Sequence, residues 1–248
     1  MIEASLRGRI ALISGGSRGI GRAIARRFAA AGARVSIGYR SNRPAAEDTL
    51  RELHALGADA IATEGDVSTE AGCAALYAAT VNGLGNVDIL VNNAGSHENN
   101  VFMLLDDGSF ERLHAVHVMS VVRMTRLVAN GMLARRWGRI INISSVAATR
   151  PTVGQTNYAA AKAAVEALTR CLAIEFHKRG VTVNCISAGL IDTDMAKDSD
   201  SAYVLAHQLV KRLGKADELA AWFLMLASTQ GDYVSGQVLD IDGGFMMI

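Results

Sequence analysis

The sequence has little proline and no block of like charge. It contains 2 prolines and 24 glycines in 248 residues, a composition that suits a compact, turn-rich α/β domain and excludes intrinsic disorder. Positive and negative residues nearly balance at a formal net charge of +1. Neither a nucleic-acid partner nor an anionic membrane surface is therefore indicated. Residues 1–9 lack an apolar signal core, and no uncharged apolar run approaches the length of a membrane span. We expect a cytoplasmic protein.

Cysteine is also scarce. Cys73, Cys171 and Cys185 are odd in number and widely spaced, without the spacing of a CxxC motif or a metal site. This pattern predicts small buried thiols in a reducing compartment and no bound metal.

What the sequence has in quantity is alternation between short β-rich runs and longer helical patterns. The runs show little polar alternation, which is typical of a parallel sheet covered by helices on both faces. Nothing splits the chain, so residues 1–248 are expected to form one doubly wound α/β domain. Strands are predicted at 9–14, 34–39, 58–63, 87–92, 139–143, 181–186 and 237–241, and helices at 19–31, 45–56, 69–84, 110–136 and 156–178.

A glycine-rich segment joins the first predicted strand to the first helix. Its spacing is Gly-x-x-x-Gly-x-Gly from Gly15 to Gly21. Glycines permit a tight turn there and let backbone N–H groups approach a phosphate at the positive end of the helix. At the first strand-to-helix junction of an alternating chain, this favours a dinucleotide. The candidate contacts are Ser14, Gly15, Ser17, Arg18, Gly19, Ile20 and Gly21.

The end of the second strand indicates which dinucleotide binds. An NAD site usually offers a carboxylate here for the ribose 2′-hydroxyl, and residues 39–43 contain none. Arg18 and Arg40 could instead hold a 2′-phosphate, which predicts NADPH. The alternative is that both are solvated surface charges.

Tyr158 and Lys162 stand at i and i+4 in a stretch without glycine or proline, so they share one face of a predicted helix. Ser145 lies thirteen residues before Tyr158, after an apolar strand. A nearby cation favours the phenolate and is expected to lower the pKa of the tyrosine toward a range useful for acid–base chemistry. Alone, the pair could equally be a half-buried tyrosine beside a lysine that reaches solvent.

Two further segments follow predicted strands, where open α/β sheets bind ligands. They are Asp66-Val67 and Asn93-Ala94-Gly95. Either could be an ordinary turn by itself.

Taken in order, these motifs and the terminal Asp242-Gly243-Gly244 resemble the short-chain dehydrogenases/reductases over nearly the whole chain. The resemblance implies a Rossmann domain with a seven-stranded parallel sheet. It also implies that Tyr158 is the general acid toward a substrate carbonyl and that Ser145 hydrogen-bonds the same oxygen. Lys162 would bind the nicotinamide ribose and hold the pKa of the tyrosine down. Asp66 would contact the adenine and Asn93 would support the floor of the site. Ile191 and Thr193 would hold the nicotinamide carboxamide, with Val67, Ala94, Gly95 and Gly189 as the other cofactor contacts.

Within that family the chain is most similar to 3-oxoacyl-acyl-carrier-protein reductases, in residues 99–103 and in the apolar tail 242–248. Arg136 and Arg179 match positions that present basic residues to the acidic carrier protein, though each could be an ordinary solvated charge. The resemblance further implies a homotetramer built through the two long helices and the last strand. Two other functions stay open, a reductase or dehydrogenase of another ketone or alcohol, and a cofactor-binding partner subunit with weakened catalysis.

Two positions depart from the family pattern. His117 stands where the family usually has an asparagine that holds a water in a proton relay, and Ala188 replaces a proline. Because the pKa of histidine ordinarily lies near neutrality, we hypothesise that His117 supports the relay in altered form, the alternative being that it merely packs. Residues 192–214 resemble the family's substrate lid, with a flexible part at 198–201 and a helix at 202–213. Apolar positions there could face an acyl chain or pack on the domain.

Overall fold

The computed structural model describes residues 4–198 and 201–245, and within them the chain forms a parallel sheet of seven strands in the order β3-β2-β1-β4-β5-β6-β7. The predicted doubly wound α/β fold is confirmed. The flexible segment predicted at 198–201 and the apolar tail lie partly outside the description, at residues 199–200 and 246–248. The strands are β1 Ile10–Ile13, β2 Arg34–Tyr39, β3 Ala60–Glu64, β4 Ile89–Asn92, β5 Gly138–Ser145, β6 Val181–Ala188 and β7 Val238–Ile241.

Eight α-helices occur in the described residues, and none of them is long and apolar enough to cross a membrane. The helices are α1 Gly19–Ala30, α2 Arg43–Ala55, α3 Glu70–Gly83, α4 Asp107–His114, α5 Ser120–Arg135, α6 Thr156–Phe176, α7 Ser201–Ala206 and α8 Ala216–Ala227.

Helices cover the sheet on both faces, as its apolar strands require. On one face Phe28 of α1 and Phe223 of α8 are fully buried against the strands. On the other, Leu76 of α3 and Met124 of α5 fill a second buried cluster. This two-sided burial explains why the strand sequences show so little polar alternation.

A short chain of buried polar side chains crosses this core. Asn92 Nδ2 donates to Asn142 Oδ1 at 2.8 Å, and Asn142 Nδ2 donates to Thr169 Oγ1 at 2.9 Å. The three residues belong to β4, β5 and α6, and all are buried. Because a buried amide without a partner is costly, these bonds tie α6 to one position over the sheet.

The helix predicted at 110–136 begins earlier, because Asp106 caps α4 by accepting from the backbone N–H of Ser109 at 2.7 Å. It is also interrupted by a π-helical turn, Ala115–Met119, which separates α4 from α5 and contains His117. Such turns accommodate an extra residue and often occur at functional sites.

The helix predicted at 202–213 is wrong in its second half, because α7 ends at Ala206. The backbone N–H groups of Leu209 and Val210 instead bond the carbonyls of Gly244 and Gly243, at 3.3 and 2.9 Å. Pairing with the end of the chain therefore prevails over local helical periodicity.

Candidate active site

Ser145, Tyr158 and Lys162 meet at the carboxyl end of the sheet. Ser145 is the last residue of β5, and the other two lie on the first turns of α6. The hydroxyl of Ser145 lies close enough to that of Tyr158 to lower the pKa of the phenol. Ser145 Oγ also accepts from the backbone N–H of Ala147 at 3.2 Å, which fixes its direction. Lys162 is buried and its Nζ donates to the carbonyl of Ile143 at 2.9 Å. The structure thus brings the predicted catalytic residues together.

The pKa of the phenol is shifted opposite to the expectation. Burial raises the pKa of Tyr158 to about 12, and the neighbouring hydroxyl of Ser145 lowers it only in part. Lys162 Nζ lies 5.6 Å from the centre of the tyrosine ring, where it does not outweigh the loss of hydration. At neutral pH the phenol is therefore protonated and available as an acid.

Burial acts on Lys162 and Cys185 as well. It lowers the pKa of the Lys162 ammonium to about 8 and raises that of the Cys185 thiol to about 12. Cys185 therefore stays a neutral thiol. Cys73 is also buried, but Cys171 is exposed, which corrects the prediction that all three thiols are buried.

His117 is 3% exposed and packs edge-on against Tyr158, with ring centres 5.3 Å apart. Its Nε2 donates to the carbonyl of Ser96 at 2.6 Å, and its Nδ1 has no partner among the described residues. A Cβ on Gly95 would come within 2.6 Å of the imidazole Cε1, so only glycine fits there. Burial lowers the pKa of His117 to about 3. The expectation of a pKa near neutrality is wrong, because the closed site excludes the charged ring.

The glycine loop has the shape that a pyrophosphate requires. Gly15 and Gly19 have φ angles of +67° and +54°, which favour glycine. A Cβ on Gly21 would overlap the carbonyl oxygen of Gly15 and lie 2.6 Å from Asn93 Nδ2. The first turn of α1 carries no acidic residue and, among the described residues, no side-chain cap. Its N–H groups can therefore donate to phosphate oxygens.

The segment Asn93-Ala94-Gly95 braces this loop. Asn93 Nδ2 donates to the carbonyls of Ser14 and Gly15, each at 2.9 Å. Ser14 Oγ in turn accepts from the backbone N–H of Asn93 at 3.0 Å and of Ala94 at 3.1 Å. The predicted floor of a dinucleotide site is thus joined to the predicted phosphate loop.

Other predicted cofactor contacts surround the same edge of the sheet. Arg40 follows β2 and is exposed, whereas Arg18 forms a solvent-exposed ion pair with Asp194 at 3.8 Å. Asp66 Oδ1 accepts from the backbone N–H of Ser68 at 2.9 Å. Thr193 lies beside the glycine loop, because a Cβ on Gly19 would be 3.4 Å from its methyl group. The remaining candidates lie in the glycine loop, in the first turn of α1, after β3 and after β6; they are Ser17, Ile20, Val67, Gly189 and Ile191.

The two predicted carrier contacts lie elsewhere. Arg136 and Arg179 each lie two residues before a strand, β5 and β6, and Arg136 Nη2 donates to the carbonyl of Lys178 at 3.1 Å. β5 is 8 residues long. At about 3.3 Å per residue it separates Arg136 from Ser145 by roughly 20 Å. In a single chain the arginines are on the edge of the sheet opposite to Tyr158.

Beside the start of α6 is an apolar groove that the sequence did not indicate. It is lined by side chains from two loops, and two of these, Phe102 and Val153, are 62% and 89% exposed. The loops are joined by a hydrogen bond from the backbone N–H of Asn100 to the carbonyl of Gly154 at 3.0 Å. The apolar lining residues are Val101, Phe102, Pro151, Val153 and Ala159.

A parallel sheet with a braced glycine loop after its first strand, and a serine–tyrosine–lysine group at the same edge, defines a Rossmann-type oxidoreductase. A family model described as enoyl-(acyl carrier protein) reductase matches residues 15–246. The chain belongs to the short-chain dehydrogenase/reductase family.

Relatives with established names agree with this assignment. The chain is 39% identical over 246 residues to 3-oxoacyl-[acyl-carrier-protein] reductase FabG of Pseudomonas aeruginosa, covering 98% of this chain and 99% of that protein. A blue fluorescent protein from a metagenomic library, solved in complex with NADPH, is 36% identical with a TM-score of 0.93 over 97% of this chain and 99% of that one. L-Sorbose reductase from Gluconobacter frateurii, complexed with NADPH and L-sorbose, is 32% identical with a TM-score of 0.92 over 100% of both chains.

Proposed function

We propose that this protein is an NADPH-dependent ketoreductase that reduces a 3-oxoacyl thioester, carried on an acyl-carrier protein, to the 3-hydroxyacyl form. The neighbouring hydroxyls of Ser145 and Tyr158, with the buried Lys162 beside them, carry this proposal. Two donors that converge at one point suit a carbonyl oxygen on which negative charge develops.

The dinucleotide would supply a hydride to the carbonyl carbon. Tyr158 then gives its proton to the carbonyl oxygen while Ser145 donates a hydrogen bond to it. A pKa of about 12 keeps Tyr158 protonated at neutral pH, which favours the reductive direction, in which the tyrosine must act as an acid. Lys162 would hold the nicotinamide ribose, and its charge is present below a pH of about 8.

NADPH is the cofactor that the first half of the sheet supports. The glycine loop and the first turn of α1 would hold the pyrophosphate, and Asn93 would keep that loop in place. Arg40, exposed at the end of β2 in a segment without carboxylates, would pair with the 2′-phosphate. Arg18 would have to leave Asp194 to join it, which costs little because that ion pair is solvent-exposed. Two solved relatives are NADPH complexes.

The apolar groove favours an acyl group over a polar ketone. Phe102 and Val153 expose large apolar surfaces next to Thr156 and Ala159, which flank Tyr158. A sugar such as L-sorbose would bring hydroxyl groups to this surface and find few partners, whereas an acyl chain would bury it.

His117 has a supporting role in this proposal. Its neutral ring keeps one buried acceptor, Nδ1, which could hold a water close to Tyr158 without becoming charged. Such a relay would differ from one based on a titrating imidazole. Because the ring stays neutral, His117→Asn should keep the pH dependence of kcat, whereas His117→Leu, which has no acceptor for the water, should lower kcat. An unaltered kcat in His117→Leu would contradict this role.

Docking of the carrier protein at Arg136 and Arg179 is part of the proposal, and so is assembly as a homotetramer. Since both arginines lie across the sheet from Tyr158 in one chain, a carrier bound there would serve the active site of another subunit. Replacing both by glutamate should raise the KM for a carrier-linked substrate and leave that for a small free thioester unchanged.

The deciding experiment is a turnover screen with NADPH, in which 3-oxoacyl groups of increasing length are offered on a carrier protein and as small free thioesters, alongside L-sorbose. We expect the highest kcat/KM on the carrier-linked substrates, with turnover by Tyr158→Phe reduced by about 10³-fold or more. Turnover restricted to the sugar would identify a reductase of another ketone. NADPH binding without turnover of any substrate would identify a partner subunit with weakened catalysis.

A further inference from the structure

Arg150 binds two carboxylates at the carboxyl edge of the sheet. Its Nη2 donates to Asp240 Oδ2 at 2.9 Å and to Asp242 Oδ2 at 2.8 Å. The side chain of Asp242 is 9% exposed and that of Arg150 is 22% exposed. We call these three residues the arginine clamp. The pair of Arg150 with Asp242 is largely shielded from solvent, unlike the surface ion pairs of α2, whereas Asp240 is 47% exposed and its pair with Arg150 is the weaker one.

The arginine clamp joins the loops that follow β5 and β7 across the end of the strand between them, β6. Arg150 lies five residues after Ser145, in the loop that follows β5, whereas Asp242 follows β7. Between them β6 ends, with Ala188 in register with Ser145 on one side and with Ile241 on the other. Arg150 therefore passes over the place where the chain leaves β6.

The segment that leaves β6 rests directly on the clamp. The backbone N–H of Gly189 donates to the carbonyl of Ile241 at 3.0 Å, and a Cβ on Gly189 would lie 2.6 Å from Asp242 Cα. Ile191 and Thr193, the expected nicotinamide contacts, follow within a few residues. Fixing Asp242 thus fixes the start of the segment that carries them.

Asp242 also anchors the base of the lid. Its Oδ1 accepts from the backbone N–H of Gly244 at 2.8 Å. The carbonyls of Gly243 and Gly244 then bind the backbone N–H groups of Val210 and Leu209, where the chain returns after α7. Through its backbone and its carboxylate together, Asp242 therefore joins the nicotinamide segment, the lid base and the loop after Ser145.

We propose that Arg150 is a positioning residue that sets the nicotinamide side of the cofactor site through Asp242. The inference rests on the proposed dinucleotide function and adds a determinant of cofactor and substrate affinity to it. Ala188 does not fix its own φ angle as a proline would, and the clamp supplies restraint from the adjacent strand instead. Without Arg150, Asp240 and Asp242 would face each other as unpaired like charges.

The test compares Arg150→Met with Arg150→Lys, which keeps the charge but loses the guanidinium geometry. Arg51→Met is the matched control, since it removes an arginine–aspartate pair from the exposed surface of α2. For Arg150→Met we expect the Kd of NADPH, from its fluorescence, and the KM of the ketone to rise about tenfold, as when one charge-assisted contact is lost. For the same variant we expect kcat to stay within about threefold of the parent value, with an unchanged pH profile. The Kd and KM of Arg150→Lys should lie between those of the parent and those of Arg150→Met, and Arg51→Met should match the parent.

Thermal unfolding of each variant separates positioning from folding. If Arg150→Met folds and binds NADPH like the parent protein, the proposal is overturned. It is equally overturned if the variant is less thermostable but its Kd and KM are unchanged, because the clamp would then be purely structural. The Kd requires no ketone, so failure to find a substrate would count against the proposed function and leave this result intact.

Discussion

The two halves of the sheet hold their loops by different means. Around β1, β2 and β4, backbone geometry and neutral hydrogen bonds shape the glycine loop, with Asn93 as the main brace. Around β5, β6 and β7, buried ionisable groups and the arginine clamp hold the loops in place. Steric constraints do not depend on pH or on neighbouring charges, whereas the interactions of buried charges depend on both. We call the part around β1, β2 and β4 the cofactor half and the part around β5, β6 and β7 the substrate half. Substitutions that change shape should impair the cofactor half most, and substitutions that change charge or proton affinity should impair the substrate half most.

The largest effect is expected in the substrate half. Tyr158→Phe removes the phenolic proton beside Ser145 and leaves the ring in place against His117. We expect kcat/KM to fall by about 10³-fold or more, as when a general acid is lost. The Kd of NADPH should change less than about twofold. Strong residual turnover would assign the proton to another group.

Shape should dominate in the cofactor half. In Gly21→Ala the new methyl group would meet the Gly15 carbonyl and Asn93, so either the loop or its brace must move. We expect the Kd of NADPH to rise by about 100-fold, since overpacking costs 1–3 kcal/mol. Gly131→Ala is the control. It lies on α5, where a Cβ would meet the end of the long Arg135 side chain at 3.0 Å, and the change should stabilise the helix by about 0.5–1 kcal/mol. Unchanged NADPH affinity in Gly21→Ala would contradict the steric argument.

A charge effect of intermediate size is expected in the cofactor half as well. Arg40→Ala should raise the KM of NADPH about tenfold, the value of one exposed guanidinium–phosphate contact. The kinetics with NADH should not change, because that cofactor lacks the 2′-phosphate. Comparing kcat/KM for both cofactors in parent and variant measures the preference directly. Equal efficiency with both in the parent, or a preference retained in the variant, would refute the role of Arg40.

Outside catalysis and binding, the contrast also concerns acid stability. Burial holds the pKa of His117 at about 3 in the folded protein, against about 6.5 in the unfolded chain. Between pH 6.5 and pH 3, His117 therefore binds a proton in the unfolded state and stays neutral in the folded state. The free energy of unfolding should fall by about 1.4 kcal/mol per pH unit from this group between pH 6.5 and 3. Urea titrations should show a shallower loss in His117→Asn over that range. Parallel losses would show that His117 is not the residue that titrates.

The same contrast explains what could be predicted from the sequence. Strand positions and the glycine loop depend on local patterns, and the tyrosine and lysine are only one helical turn apart, so these predictions needed no distant contact. Arg150 and Asp242 are far apart in the sequence, and only the order of β5, β6 and β7 brings them together. Their residue types gave no sign of this.

Other differences also have long-range causes. α8 was not predicted because apolar residues occupy both of its sides, so they show little helical periodicity. Leu219 and Phe223 are buried, whereas Trp222 and Met225 are exposed. The π-helical turn at His117 has no local signal either. The pKa of Tyr158 was predicted in the wrong direction because helical spacing reveals the neighbouring cation but not the depth of burial.

The buried side chains of Asn92, Asn142 and Thr169 have a consequence for catalytic accuracy. A helix that slipped by one residue would advance about 1.5 Å and turn about 100°, which is enough to separate Tyr158 from Ser145. Apolar contacts alone tolerate such alternatives, since many packings bury similar areas. The hydrogen bond from Asn142 to Thr169, with Asn142 itself held by Asn92, permits one alignment of α6 and penalises the rest. Apolar replacements at these positions could preserve the melting temperature and still broaden the distribution of tyrosine positions, giving a protein that is equally stable and a poorer catalyst.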